Sequence, residues 1–298
     1  MRNGDLRTLG VLLLLLPAVG CRLPFRDGPV PTSVANSRRL SQQGVAALDR
    51  GDQPKAETLL SQAVNACPVD PEARQRYAES LWLRSARKEA VAEMEQACQL
   101  AGEDATLWAR LAEMLLTEGK IEAARQDAER ALGLDPHLAS AWAVRGGALQ
   151  AVGRLQDALA DYLQALHFAP KDHQTLMAVA EIHFQLRQPE RSLQVLQTLA
   201  DTYSPGEEPS PALVLLGQTY SALGRYEEAV DCFAAAARKQ PTPAVFCDLG
   251  EAELAAGHAA AAATAAQQAL AIQPQYPPSR QLLNRIELAD RPTPIQRW

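Results

Sequence analysis

Small and large apolar residues recur along the chain with a period of 34 residues, counted from Ser37. Three places in this frame are small in nearly every copy. The eighth place holds Gly44, Ala78, Ala112, Gly146, Ala180, Gly217 and Gly250. The twentieth and twenty-seventh places are Ala except in the fifth copy, which has Ser192 and Leu199. Small residues let helix backbones approach closely, so each copy predicts a pair of packed helices.

Gly and Pro mark the helix ends in the same frame. The fifteenth place holds Gly51, Gly119, Gly153, Gly224 and Gly257, where a positive φ ends the first helix. The thirty-second place holds Pro68, Pro136, Pro170, Pro241 and Pro274, which stop the second helix. The copies are residues 37–70, 71–104, 105–138, 139–172, 173–209, 210–242 and 243–276.

The fifth copy departs from the pattern. It has Arg187 at the fifteenth place and Ser204 at the thirty-second, and it leads into a Pro-rich stretch at 205–211. We interpret this stretch as a surface loop, with a hinge or a specific binding loop as alternatives.

The repeated pattern resembles the tetratricopeptide repeat (TPR). In 105–136, the positions that carry the family's characteristic residues hold Trp108, Leu111, Ala112, Leu115, Ala124, Ala131 and Pro136. The resemblance covers most of the chain and implies an all-α fold, a right-handed α-solenoid of about seven helix hairpins. Residues 277–290 have one apolar stripe, suited to a capping helix, and 291–298 form a tail that ends on Trp298.

The first 20 residues predict a signal peptide. Arg2 and Arg7 precede a short apolar stretch that includes the Leu run 12–16, and this stretch is too short to span a bilayer. Ala18-Val19-Gly20-Cys21 resembles a bacterial lipobox, which implies cleavage before Cys21 and acylation of that residue. A plain cleavage site that releases a soluble protein is the alternative.

Residues 21–36 contain three Pro and predict a tether between the membrane and the repeats. The expected location is therefore the bacterial cell envelope, with the protein lipid-anchored and facing the periplasm or exterior. If Cys21 is not acylated, we expect a soluble periplasmic or secreted protein.

Charge and composition exclude several function classes. The chain has 35 Asp and Glu against 29 Lys and Arg and no long basic run, which argues against nucleic acid as a partner. Its five His show no metal-ligand spacing, and no nucleophile elbow or phosphate-binding Gly loop is present. We therefore expect no enzyme activity, no cofactor and no metal.

The remaining cysteines and His183 suggest structural roles. Cys232 and Cys247 fall on neighbouring predicted helices, where they either form a disulfide or serve, like Cys67 and Cys98, as small buried apolar residues. His183 falls on the packing side of its helix, which predicts a buried, hydrogen-bonded imidazole.

The TPR resemblance also implies a binding surface, because the first helix of each copy lines the concave face in that family. The ninth place carries Glu in four copies, and large apolar residues occupy the twelfth place in several. The candidate groove residues are Glu79, Trp82, Glu113, Leu116, Glu181, Phe184 and Glu251. The alternative is that these Glu residues have no binding role and occur because Glu favours helix formation and solubility on an exposed face.

These features predict a non-catalytic adaptor or scaffold in the cell envelope. Its groove would bind segments of protein partners with basic and apolar side chains, with carboxylates for register and Trp82 and Phe184 as anchors. The alternatives are a binding protein for a small ligand or cell-wall fragment, and a regulatory subunit of an envelope enzyme.

Overall fold

Helices account for 80% of the residues described by the structure, a computed structural model that describes 32–204 and 206–289. Within these ranges there are fifteen α-helices and no strand. The helices are α1 (Thr32–Leu48), α2 (Gln53–Ala66), α3 (Pro71–Leu83), α4 (Arg87–Ala101), α5 (Ala105–Thr117), α6 (Ile121–Leu134), α7 (Ala139–Ala151), α8 (Leu155–Phe168), α9 (His173–Gln185), α10 (Pro189–Ala200), α11 (Ser210–Ala222), α12 (Tyr226–Lys239), α13 (Pro243–Ala255), α14 (Ala259–Ile272) and α15 (Pro277–Ala289). The prediction of an all-α solenoid of helix hairpins is confirmed.

The helices pack in chain order. Each odd-numbered helix packs on the even-numbered helix that follows it, and each hairpin packs on the next. Odd-numbered helices also contact one another: α5 meets α7, α9 meets α11, α11 meets α13 and α13 meets α15. The odd-numbered helices therefore share one face of the solenoid, and two neighbouring pairs within it, α3 with α5 and α7 with α9, do not pack closely.

The small residue at the eighth place is required by close helix packing. A Cβ at Gly217 would lie 2.8 Å from two ring carbons of Phe233, and one at Gly250 would lie 2.7 Å from Cδ2 of Leu282. Both distances are well inside van der Waals contact, so a larger residue would push α12 away from α11 at the first site and α15 away from α13 at the second.

The turn inside each hairpin has a residue in the left-handed region at the fifteenth place. Gly51, Gly153 and Gly257 have φ values of 76°, 78° and 91°. Ser85 and Arg187 occupy the same place with φ of 65° and 57°. The turn is thus kept in the fifth repeat although its glycine is missing.

Aspartates at the thirty-fourth place cap the first helix of the following repeat. Asp70 accepts hydrogen bonds from the backbone N–H groups of Glu72 and Ala73, and Asp104 does the same at the start of α5. Asp172 accepts one from Thr175. Each carboxylate satisfies N–H groups that have no partner within the helix.

The boundaries differ from the expected ones at two points. Helix α1 begins at Thr32, so residues 32–36, which we expected in the tether, are helical. Ser210 and Pro211, which we expected in the loop at 205–211, form the first turn of α11 because Pro is tolerated at a helix start. The signal peptide, Cys21, the rest of the tether and the tail with Trp298 lie outside the described residues.

All four cysteines of the repeats are free thiols, so Cys232 and Cys247 do not form a disulfide. Cys67, Cys98 and Cys247 are buried, and Cys232 is half-buried. Burial raises the pKa of Cys98 to about 12 and that of Cys232 to about 11, which keeps both thiols protonated and unreactive.

His183 is buried, and its Nδ1 lies 3.0 Å from Oε1 of Gln188, which confirms the expected hydrogen-bonded imidazole.

Candidate binding groove

The candidate residues lie on the shared face of the odd-numbered helices. Glu79 and Trp82 are on α3, Glu113 and Leu116 on α5, Glu181 and Phe184 on α9, and Glu251 on α13. The two candidates on one helix are three positions apart (i and i+3), so their side chains lie on the same side of that helix. We call this face, from α3 to α13, the groove.

Two of the four carboxylates are already paired. Arg110 on α5 donates from Nε and Nη2 to the two carboxylate oxygens of Glu79 at 2.7 and 2.6 Å, and from Nη1 to Glu113 at 2.6 Å. The hydrogen bond with Glu79 is the main cause of the raised pKa of Arg110. One arginine thus balances one of the two carboxylate charges, and the cluster of Arg110, Glu79 and Glu113 keeps a net negative charge.

Arginines also cover Trp82. The guanidinium carbon of Arg87 lies 4.1 Å from the centre of the indole ring, and that of Arg110 lies 5.8 Å from it. Cation–π contacts of this kind occupy the ring face that an incoming apolar side chain would use. Trp82 is thus less available as an anchor than its position in the sequence indicates.

Glu251 is paired as well. It forms an ion pair with Arg285 of α15, whose pKa is raised mainly by this hydrogen bond. The capping helix therefore supplies the cation that neutralises the last glutamate of the groove.

Glu181 differs from the other three. It is half-buried, and within the described residues it has no ion-pair partner and no side-chain hydrogen bond. Burial raises its pKa above the ordinary value, because a carboxylate is less well solvated there than in water. Within the described residues, Glu181 is thus the one of the four groove glutamates that no arginine contacts.

A cavity of about 540 Å³ opens between α7 and α9, next to Glu181. Its apolar wall includes Leu116, Ala143, Val144 and Gly147. We call it the first cavity. It lies where the two neighbouring odd-numbered helices do not pack closely.

Tyr162 of α8 closes the base of the first cavity and donates a hydrogen bond of 3.0 Å to Oε1 of Gln150. Burial, with a smaller contribution from the charge of Glu181, raises its pKa to about 12. The phenol is therefore neutral and held in place. Because Gly147 has no side chain, the space next to Leu116 stays open. A Cβ at position 147 would lie 2.7 Å from Cδ2 of Leu116 and would occupy part of that space.

Two further cavities continue the groove. The second, of about 540 Å³, is lined by Glu181, Phe184, Pro211 and Val214 among others. The third, of about 360 Å³, shares Phe184 and Gln218 with the second and reaches Asp248 and Glu251. Burial raises the pKa of Asp248. Pro211 shows that the end of the irregular 205–211 stretch forms part of the groove wall.

Sequence reasoning missed several cavity residues. Gly147 occupies the ninth place, where four other copies carry Glu, and its missing side chain leaves space for the first cavity beside Leu116. Tyr162 and Gln218 were not singled out. The sequence signals the role of Gly147 by placing glycine at the ninth place, where Glu is the commonest residue.

No metal or membrane-spanning segment appears in the part of the chain that the structure describes. It contains no group of three or more His, Cys, Asp or Glu side chains able to hold a metal ion. None of the fifteen helices is long and apolar enough to cross a bilayer.

Two family models, both described as tetratricopeptide repeat, match the sequence. One matches residues 144–207 and 214–277, and the other matches 105–138. The chain contains tetratricopeptide repeats. The matched TPR segments include all residues that line the third cavity and most of those around the first and the second.

Solved structures with the same TPR fold have low sequence identity. YrrB, described as a TPR protein with an unusual peptide-binding site, is 21% identical with a TM-score of 0.56, covering 64% of this chain and 97% of its own. PilF of Pseudomonas aeruginosa is 16% identical with a TM-score of 0.62, covering 70% and 94%.

A TPR protein from Parabacteroides merdae covers more of the chain. It is 17% identical with a TM-score of 0.60, covering 85% of this chain and 99% of its own. No curated protein sequence matches significantly. At these identities the structures establish the fold, and TPR proteins in general mediate protein–protein interactions.

Proposed function

We propose that this TPR protein is a non-catalytic adaptor that binds segments of partner proteins in its groove while anchored to a bacterial envelope membrane through Cys21. The observation that carries the first part is the row of three cavities along the odd-numbered helices. Adjacent cavities share Glu181, Phe184 and Gln218, so they form one continuous path.

A continuous path favours an extended chain over a compact ligand. Small-molecule sites enclose most of their ligand in one concave pocket. The three cavities instead follow successive repeats, which matches the way that solenoids bind elongated partners. The fold shared with YrrB, which has a peptide-binding site, supports the same choice.

The envelope part of the proposal rests on residues 1–21 of the sequence. The basic start, the Leu run and the small residues before Cys21 are typical of a lipoprotein signal. Several acyl chains hold a protein firmly on a membrane, whereas one chain binds it only marginally. Changing Cys21→Ser should move the protein from the membrane fraction to the soluble fraction, and unchanged fractionation would refute acyl anchoring.

Site-specific photo-crosslinking in cells tests the binding surface. A photoreactive amino acid replaces Ser140 in the first cavity or Gln218 between the second and third cavities. Gln197, exposed on α10, is the control position outside these cavities. We expect the same envelope protein to be crosslinked from Ser140 and Gln218 and not from Gln197. Crosslinking only from Gln197, or from none of the three, would contradict the proposed groove.

A further inference from the structure

The distribution of charge in the groove limits what the partner segment can be. Among the described residues that line the three cavities there is no Lys, Arg or His. The same walls contain five carboxylates, which are Glu113, Asp172, Glu181, Asp248 and Glu251. The field inside the cavities is therefore negative, and it attracts cations and repels acidic segments.

Arginines contact two of these carboxylates from outside the cavities, although Arg110 is shared with Glu79. Glu113 is held by Arg110 and Glu251 by Arg285. Asp172 is exposed and its carboxylate caps α9. Within the described residues, Glu181 and Asp248 are therefore the cavity carboxylates that have neither an ion pair nor a capping role.

Glu181 has the position with the greatest consequence for binding. It lines both the first and the second cavity and is half-buried, with burial as the cause of its raised pKa. A partly buried charge without a partner lowers the stability of the free protein, and a cation supplied by a ligand removes that cost. A basic group reaching Glu181 would place its neighbours in the segment over the cavities on either side.

The walls beside Glu181 are mainly apolar. Leu116, Val144 and Ala178 line the first cavity, and Met177, Phe184 and Val214 line the second. Apolar side chains of the segment gain free energy when these surfaces remove them from water.

We infer that the groove binds an extended protein segment in which a Lys or Arg pairs with Glu181 and a large apolar side chain next to it fills the first cavity. This inference rests on the proposed function and specifies the partner's chemistry. The occupant is a segment of another protein, and the chain's own residues 290–298, which contain Arg291, Arg297 and Trp298, are the competing occupant to be tested.

Selection from a random peptide library identifies the preferred segment. The full-length chain in mild detergent is immobilised and panned against 12-residue phage-displayed peptides, and selected peptides are synthesised with a fluorophore for anisotropy titrations. We expect selected peptides to share one basic residue next to a large apolar residue. A peptide of residues 290–298 is titrated in parallel, and tighter binding by this peptide than by every selected one would overturn the choice of occupant.

Variants of the protein test the two contacts separately. Glu181→Gln keeps the shape and removes the charge, and it should weaken binding about tenfold, as expected for a charge-assisted hydrogen bond. Gly147→Leu fills the first cavity and should weaken binding by a similar factor. Glu190→Gln on the exposed start of α10 is the matched charge control and should leave the affinity within about twofold.

A variant of the peptide keeps the test independent of protein folding. Replacing its basic residue by norleucine should weaken binding to the wild type and remove the difference between wild type and Glu181→Gln, which is the coupling expected of a direct pair. Selected peptides that lack a basic residue but lose binding in Gly147→Leu would overturn this inference and leave the proposed function standing. If no peptide is selected, or if Gly147→Leu and Glu181→Gln both bind normally, the proposed groove itself is wrong.

Discussion

At the scale of single residues, the groove glutamates differ in whether an arginine lies within reach, which Glu113 finds on its own helix and Glu251 on α15. Glu79 at the ninth place meets Arg110 at the sixth place of the following repeat, and Gln218 and Asp248 have the same relation. After Glu181 the sixth place is Leu215, which offers no charge or hydrogen bond. This pairing rule is readable from the sequence, but only once the structure shows which places on adjacent repeats face each other.

Replacing Glu181 by Gln should stabilise the protein at neutral pH. Because burial raises the pKa of Glu181 above 4.5, the folded state binds its proton more tightly than the unfolded state does. The stability of the folded protein therefore falls as the pH rises through the folded pKa of Glu181 and its carboxylate becomes charged. We expect Glu181→Gln to have a higher Tm than the wild type at pH 7.

Thermal unfolding at two pH values checks this. The Tm difference should shrink toward about pH 4, below the unfolded pKa, where both states of the wild type are protonated. Glu190→Gln is the control, because it removes an exposed carboxylate from the same repeat. A wild type that is more stable than Glu181→Gln at pH 7 would mean that Glu181 has a stabilising cation partner in the free protein.

At the scale of the helix hairpin, the sequence determines most of what the structure shows. The 34-residue frame predicted the hairpins because the positions that need a small side chain or a positive φ are fixed by backbone contact. The Asp caps at the thirty-fourth place were not predicted, since only some copies have Asp there. Nor was the start of α1 at Thr32, because 32–36 show no apolar periodicity. A helix that packs on one side only needs less of that signal.

The hairpin turn of the fifth repeat offers a simple stabilising change. Arg187 has φ of 57°, where a residue with a Cβ is strained by about 1 kcal/mol or more. Arg187→Gly removes the strain but increases the freedom of the unfolded chain, so we expect a net gain of about 0.5–1 kcal/mol. Urea unfolding of the wild type and the variant measures this change in the free energy of unfolding.

Gly153→Ala is the matched opposite variant. Gly153 occupies the same place in its repeat with φ of 78°, and a Cβ added to it would meet no other atom within 4 Å. The alanine therefore introduces backbone strain and no clash. It should lose about 1 kcal/mol. A stability loss in Arg187→Gly would show that the arginine side chain contributes more than its backbone strain costs.

At the scale of the whole molecule, stability is shared between neighbouring repeats, because helices contact only those close in the chain. The general character of the groove could be predicted, since it depends on which face the first helices present. The first cavity could not, because it depends on the separation of α7 and α9 and on side chains such as Tyr162 that reach in from a second helix. A repeat frame specifies places along a helix and does not give the distance between helices.

Helix α15 should protect only the repeats beside it. Leu282 is fully buried against Ala262 and Ala266, with Gly250 beneath it. Leu282→Ala should cost about 2–5 kcal/mol locally. We expect faster amide hydrogen exchange in 243–289 and unchanged exchange in α5 and α6, measured by mass spectrometry. Faster exchange throughout the chain would show that the solenoid unfolds as one unit.

The strictly sequential packing of the helices also has a mechanical consequence. In a globular fold, many contacts between distant parts of the chain resist a pulling force in parallel. Here a force applied between α1 and a partner held near α13 passes through each intervening hairpin and interface in series. Every interface then bears the full tension, and the weakest one sets the force at which the protein extends.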